Sequence, residues 1–172
     1  MFFCITVIMA TFKVASINVK GLRGKRKRRQ IFNFLSSSEY SVICLQETHH
    51  KGSDQNEWEK EWEGKSAWCH ATSAGGGYAR AGVGILFKKH LNVEIISSDE
   101  DNDGRILRVT AEIDSLRFQI VTIYGPQPDT VQESEQFFGS LNQFVEDDIP
   151  LILLGDFNMV FYIYKERCGG HT

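Results

Sequence analysis

Two carboxylates, two amides and one phenol stand where apolar runs of this chain stop: Glu47, Asp156, Asn18, Asn158 and Tyr124. Asp156 and Asn158 close the stretch Leu151-Ile-Leu-Leu-Gly-Asp-Phe-Asn158, in which the apolar run after Pro150 halts at Gly155. An acceptor-only carboxylate beside an amide suits the holding of a water molecule against a phosphoryl group. Glu47 and Asp156 together bring two carboxylates, the donors that a hard divalent cation such as Mg²⁺ selects. Asn18 adds a neutral oxygen or a donor, and the Tyr124 hydroxyl can reach a non-bridging phosphate oxygen. Phosphate-ester hydrolysis needs this combination: a cation neutralises the phosphate, a base prepares water, and donors stabilise the five-coordinate transition state. Taken singly, each residue also reads as a solvated strand end or a turn, for which Gly, Asp and Asn are the usual residues. They make one site only if the four strand ends lie on the same side.

The elements that would position them follow from hydrophobic periodicity. Residues 151–154 form an apolar run bounded by a turn signal, which predicts a strand buried on both faces. Alternation along it puts Asp156 and Asn158 on one side and Phe157 on the other. Residues 11–19 and 41–46 read as strands that end near Asn18 and on Glu47. Residues 66–71, 82–87 and 92–97 have strand character, and 105–113 with 116–124 reads as a hairpin about Asp114-Ser115. Ile31, Phe32, Phe34 and Leu35 fit one face of a helix, a short helix is expected around Trp58 and Trp62, and 130–145 has helical spacing opened by Thr130 and Glu133, a capping-box pair. Residues 73–82 read as a flexible loop. Residues 98–104 read as an exposed acidic turn; no Glu lies at the spacing of an EF-hand loop and no helices flank it, which argues against calcium. In layered α/β proteins ligands collect at strand ends, so this pattern and the five residues agree.

Length and composition fit one soluble globular domain or most of a larger one: 172 residues with a net charge of −3. The charge is unevenly spread, with Lys20, Arg23, Lys25, Arg26, Lys27, Arg28 and Arg29 clustered. Lys25, Arg26, Lys27, Arg28 and Arg29 are candidates for contacts to a nucleic-acid backbone; a solvated helix start or a nuclear-localisation-like patch is the alternative. Cys4, Cys44, Cys69 and Cys168 include no Cys-x-x-Cys pair. That argues against a zinc site or disulfide framework and suits a reducing, intracellular compartment, the nucleus included. No apolar run approaches the roughly 18 residues of a membrane helix, and no protein partner is inferable. Residues 1–10 form an apolar leader without a basic leading region or a clear cleavage site, and Met9 offers an alternative start. The expected organisation is that leader, a domain over 11–160, and an atypical tail over 161–172.

Ser16-Ile-Asn-Val-Lys-Gly-Leu22, Leu45-Gln-Glu-Thr48, Gly82-Val-Gly-Ile-Leu-Phe87, Gly104-Arg105, Ile123-Tyr-Gly-Pro126 and Gly155-Asp-Phe-Asn158 occur in an order that resembles the endonuclease/exonuclease/phosphatase superfamily. The flavour is closest to the apurinic-endonuclease-like domain of non-LTR retrotransposon polyproteins. The resemblance covers nearly the whole chain and implies a DNase-like α/β fold, a four-layer sandwich of two mixed sheets with helices outside. It implies DNA nicking dependent on Mg²⁺, with Mn²⁺ as the substitute; a phosphatase or esterase acting on a small phosphoester and a non-catalytic remnant are the alternatives. By resemblance Glu47 is the principal metal ligand with Asn18 assisting, and Tyr124 contacts the scissile phosphate. Asp156 orients or deprotonates the attacking water, and Asn158 fixes Asp156 and the phosphate. No catalytic role is carried onto His49, which reads as a solvated loop residue. The superfamily's domain continues past this motif to a Ser-Asp-His segment with no counterpart in residues 161–172. The expectation is therefore the front two thirds of such a domain, with part of the second sheet missing, apolar residues uncovered and weak activity.

Overall fold

The computed structural model describes residues 4–6, 12–72, 80–127 and 131–159. Two sheets lie face to face. The first holds five strands in the order β1-β2-β3-β5-β4, formed by Cys4–Thr6, Lys13–Asn18, Val42–Gln46, Val83–Phe87 and Lys65–Cys69. The second holds four in the order β6-β7-β8-β9, formed by Val93–Glu100, Ile106–Ile113, Leu116–Tyr124 and Leu151–Asp156. Each sheet contains one parallel pair, β2 with β3 and β8 with β9, and is otherwise antiparallel, so both are mixed.

Alternation builds the layers. Val14, Val42, Cys44, Val83, Ile85 and Phe87 point inward from the first sheet onto Leu107, Val109, Ala111, Ile113, Phe118, Ile120, Ile152 and Leu154 of the second. Burying each large side chain contributes roughly 1.5–3 kcal/mol, which makes this shared face the main source of stability. The outer face of the first sheet carries helices α1 (Lys25–Ser37) and α2 (Gln55–Glu61), packed through Phe32, Leu35, Trp58 and Trp62 onto Ile43, Leu45 and Leu86. On the outer face of the second sheet, Ile106, Val121 and Ile123 meet Phe137 and Phe138 of α3 (Val131–Ser140) and Leu141 and Phe144 of the 3-10 turn after it. The four expected layers are present.

Helix α1 begins five residues before the apolar pattern at 30–35. Its buried stripe is Arg28, Phe32 and Leu35, an i, i+4, i+7 series whose first member is a cation. At the other end the Lys88 ammonium bonds the Ser38 carbonyl, placing a positive charge at the helix C-terminus.

Two expectations are corrected by the fold. Strand β9 is not buried on both faces: Ile152 and Leu154 face the core, but Leu151 is 41% and Leu153 36% exposed. Among the described residues it is the edge strand of its sheet, with one face covered. Gly155, where the apolar run halts, lies within the strand. It sits in register with Ile123, where a Cβ would lie 2.1 Å from the Ile123 carbonyl oxygen, so glycine there lets β9 close on β8. Strand β6 runs to Glu100 past an irregularity at Ile95/Ser97, so the acidic segment is partly strand and only residues 101–105 turn. The Asp114-Ser115 hairpin is as expected, with φ values of 49° and 63°. Residues 73–79 of the expected loop, Thr130 of the expected cap and the tail lie outside the described residues, whereas Cys4–Thr6 of the leader pairs antiparallel with β2.

Candidate active site

The two parallel pairs end at one rim. Asn18 and Gln46 are register partners at the ends of β2 and β3, and Tyr124 and Asp156 at the ends of β8 and β9. At the rim itself the Asn18 amide links the sheets. Its Nδ2 donates to Glu47 Oε1 at 2.7 Å and to Asp156 Oδ2 at 2.8 Å. Both carboxylate oxygens hang from one nitrogen, so they cannot be farther apart than those two bonds laid end to end.

Asn18 is fixed by its own backbone, since Oδ1 accepts from Lys20 N–H at 3.0 Å. Its oxygen is thus turned away from the carboxylates, and it donates to them. In this arrangement the anionic oxygens facing one another belong to Glu47 and Asp156, and Asn18 joins them as a donor. Lys27 Nζ holds the same turn by bonding the carbonyls of Val19 at 2.7 Å and Lys20 at 2.8 Å.

Asp156 is held at both oxygens, because Oδ1 accepts the Asn158 backbone N–H at 3.2 Å. Phe157 points away to stack with Phe138, as alternation requires. Asn158 departs from it. Its φ is 49°, and its side chain turns to donate to the Gly125 carbonyl at 2.7 Å. The Tyr124 hydroxyl faces Glu47 and Asn158; burial and the adjacent Glu47 carboxylate push the phenol up, opposed by the Asn158 bond and the Arg105 charge. It therefore stays a donor at neutral pH.

The rim is also where backbone strain gathers. Among the described residues, seven non-glycine residues have positive φ; two form the hairpin turn, and the other five, Lys20, Glu47, His49, Ala81 and Asn158, lie in the loops around the site. Such conformations cost roughly 1–3 kcal/mol each and persist where surroundings over-determine them. The surroundings are on hand: Gly21 N–H bonds the Glu47 carbonyl at 2.6 Å, Thr48 N–H bonds Gly82, and His49 N–H bonds Ala81. Gly82 has φ 84°, and a Cβ there would stand 2.6 Å from Thr48 Oγ1. His49, expected to be solvated, is half-buried against Gly21.

Beneath the rim, Gln46 bridges the sheets: its Nε2 donates to Thr122 Oγ1 at 3.0 Å and its Oε1 accepts from Ser16 at 3.2 Å. On the helix side of the first sheet, loop residue His50 is fully buried against Trp58 and Trp68, its Nδ1 3.0 Å from His70 Nδ1. Neither Gln46 nor His50 was a sequence candidate. An amide and an imidazole following a run of buried apolar residues were the available signal.

The five basic candidates divide. Arg28 is 2% exposed, donates from Nε to Glu61 Oε2 at 2.6 Å and lies over the Trp58 ring. Its Nη2 is 3.2 Å from Glu57 Oε1 but misaligned for a hydrogen bond. Arg28 is therefore structural, a correction to its expected phosphate contact. Lys27 is engaged at the Asn18 turn. Lys25 and Arg29 pair with Glu57 and Glu61 while remaining well exposed, and Arg26 is exposed.

Residues 10–161 match the Endonuclease/Exonuclease/phosphatase family. The chain belongs to that family. It is 30% identical over 148 residues to the transposon TX1 uncharacterized 149 kDa protein of Xenopus laevis, a match covering 84% of this chain and 11% of that protein. Among solved structures it resembles the AP endonuclease LMAP of Leishmania major, with a TM-score of 0.62 and 18% identity over 89% of this chain and 60% of that one. It also resembles the 3′ phosphatase NExo of Neisseria bound to a product DNA hairpin, with a TM-score of 0.61 and 21% identity over 87% of this chain and 58% of that one. These likenesses show the DNase-like fold. The chain thus spans about a tenth of the transposon protein and about three fifths of those two structures. Among the described residues, no helix is long and apolar enough to cross a membrane.

The donor set suits Mg²⁺. That ion takes one or two carboxylates and fills its remaining positions with water and substrate phosphate oxygens. Glu47 and Asp156 supply that pair, and no group of three or more His, Cys, Asp or Glu able to hold a metal occurs among the described residues.

Proposed function

We propose that this site hydrolyses phosphodiester bonds in DNA with Mg²⁺ as cofactor, making a single-strand nick. The observation that carries the reading is the Asn18 amide holding the Glu47 and Asp156 carboxylates together across the two sheets. Glu47, with Asp156 beside it, would hold the ion. When bound, the ion supplies positive charge to the scissile phosphate and lowers the cost of its developing charge.

The remaining chemistry belongs to the chain. Asp156, bonded on each oxygen, is oriented to accept a proton from a water molecule lined up with the phosphorus. Tyr124, protonated, donates to a non-bridging oxygen, the kind of preorganised donor whose removal typically costs on the order of 10²–10³ in rate. Asn158 acts through its backbone N–H on Asp156 and fixes its own turn through Gly125. Duplex DNA would lie along the rim toward the start of α1, where Lys25, Arg26 and Arg29 are exposed with Lys20 and Arg23. Each neutralised phosphate should add roughly −0.9 to the salt slope of binding.

The test is Mg²⁺-dependent nicking of supercoiled plasmid by the full chain, beside Glu47→Ala and Asp156→Ala. The expected result is nicking that disappears in both variants and on chelation. Hydrolysis of a small aryl phosphate without nicking would replace DNA by a small phosphoester. Nicking that survives both substitutions would overturn the reading. A parallel salt series with Lys25, Arg26 and Arg29 changed to Gln should give a shallower slope than the parent.

A further inference from the structure

We propose that Arg105 is a positioning residue of this site, whose guanidinium plane fixes where the Tyr124 ring and the Gly125 carbonyl stand. The inference rests on the functional reading above for its catalytic consequence, but not for its geometry. Arg105 precedes β7 directly, and its neighbour across the sheet is the end of β8. Its Cζ lies 5.2 Å from the centre of the Tyr124 ring. Its Nη1 donates to the carbonyls of Tyr124 and Gly125, each at 3.2 Å. Its own carbonyl accepts the Tyr124 N–H at 2.8 Å, so backbone and side chain grip the same residue.

The grip reaches farther through Gly125. That carbonyl, with two lone pairs, accepts from Arg105 and from Asn158 Nδ2 at once, and the Gly125 N–H donates to the Asp156 carbonyl at 2.7 Å. One guanidinium thus braces the phenol that faces the phosphate and the turn that carries the water-orienting carboxylate. Arg105 is itself anchored, its N–H bonding Asp101 Oδ1 at 2.8 Å. Among the described residues no carboxylate forms an ion pair with its guanidinium. The charge is spent on a π face and two carbonyls instead. A planar fork can stack on a ring while bonding carbonyls at its edge; a lysine ammonium on a flexible stem is a point charge without a face to stack.

Two variants and two readouts test this. Arg105→Met removes the charge and the fork, and Arg105→Lys keeps the charge alone. With 3-fluorotyrosine incorporated and the Tyr124 line assigned by Tyr124→Phe, ¹⁹F NMR reports the ring's surroundings without requiring activity. The expected result is a shifted, broadened Tyr124 line in both variants. In nicking, kcat should fall on the order of 10–10²-fold while KM changes by less than about twofold, since a misplacement near 1 Å can cost about 10² in rate. Lysine should not rescue it. A Tyr124 line unmoved in both variants overturns the proposal, as does a loss confined to KM and restored by lysine, the signature of a phosphate contact. If the parent chain does not nick DNA, the functional reading fails, and the ¹⁹F line alone decides the placement: moved, it stands; unmoved, it falls.

Discussion

Asn18 separates two like charges by offering each an N–H, and an aspartate in its place would offer each a third negative charge. At about 4 Å a like-charge contact costs roughly 1–4 kcal/mol between bulk-water and near-surface dielectrics. Asn18→Asp should therefore melt below the parent in chelator, and Mg²⁺ should raise its melting temperature more than the parent's. Thermal melts with and without the ion measure both; equal metal responses would sink the argument. His50 gives the pH dependence. Burial holds its imidazole down to about 4 from 6.5; neighbouring His70 adds to this, Asp54 opposes it and Arg28 adds again. The unfolded chain then takes up this proton before the folded one does. The contribution is complete above about pH 6.5 and is lost as pH falls toward 4, on the order of 3 kcal/mol in all. His50→Phe keeps an aromatic ring in the stack but cannot titrate. Its stability should fall less steeply between pH 6.5 and 4 than the parent's, a comparison that chemical denaturation at each pH makes directly.

At the scale of elements, the basic start of α1 holds two kinds of residue that look alike in a charge run. Lys25 is an exposed partner of Glu57, and exposed pairs contribute roughly 0–1 kcal/mol. Arg28 is buried, and removing one member of a buried pair costs roughly 3–5 kcal/mol by stranding the other. Arg28→Ala should thus lower the melting temperature by on the order of 10 °C and Lys25→Gln by no more than a few degrees, at roughly 2–4 °C per kcal/mol. Comparable shifts for the two would contradict the burial argument. The strands were legible because alternation survives wherever one face is buried; β7 and β8 fall within a residue of their expected bounds. The start of α1 was not, because its first inward position is an arginine satisfied by Glu61, a partner 33 residues away. Asp156 and Glu47 were legible as acids at the ends of apolar runs. The direction in which the Asn18 amide points was not, because a backbone bond to Lys20 sets it.

Across the whole molecule, the Asn18 link at the rim is backed by a buried amide beneath it. Gln46 is 1% exposed and spans from Ser16 to Thr122, directly before Glu47 in sequence and two residues below Tyr124 in β8. Gln46→Leu takes one partner from each of two buried hydroxyls, at roughly 1–3 kcal/mol for a group left stranded, although Thr122 keeps its bond with the Cys44 thiol. Pairing it with Thr122→Val removes one of them, so the double variant should be less destabilised than the sum of the singles. A double-mutant cycle by denaturation checks this, and strict additivity would show that the bridge carries no coupling.

The contact that closes the rim joins positions 138 residues apart in the chain. That separation imposes a schedule. At roughly 5–20 residues per second, a ribosome leaves Asn18 and Glu47 waiting on the order of ten seconds before Asp156 has even been made. Until β9 has been made, a nascent polypeptide carries Glu47 with no second carboxylate opposite it across the rim. The bond by which Asn18 pairs the two carboxylates therefore forms only once β9 has docked beside β8.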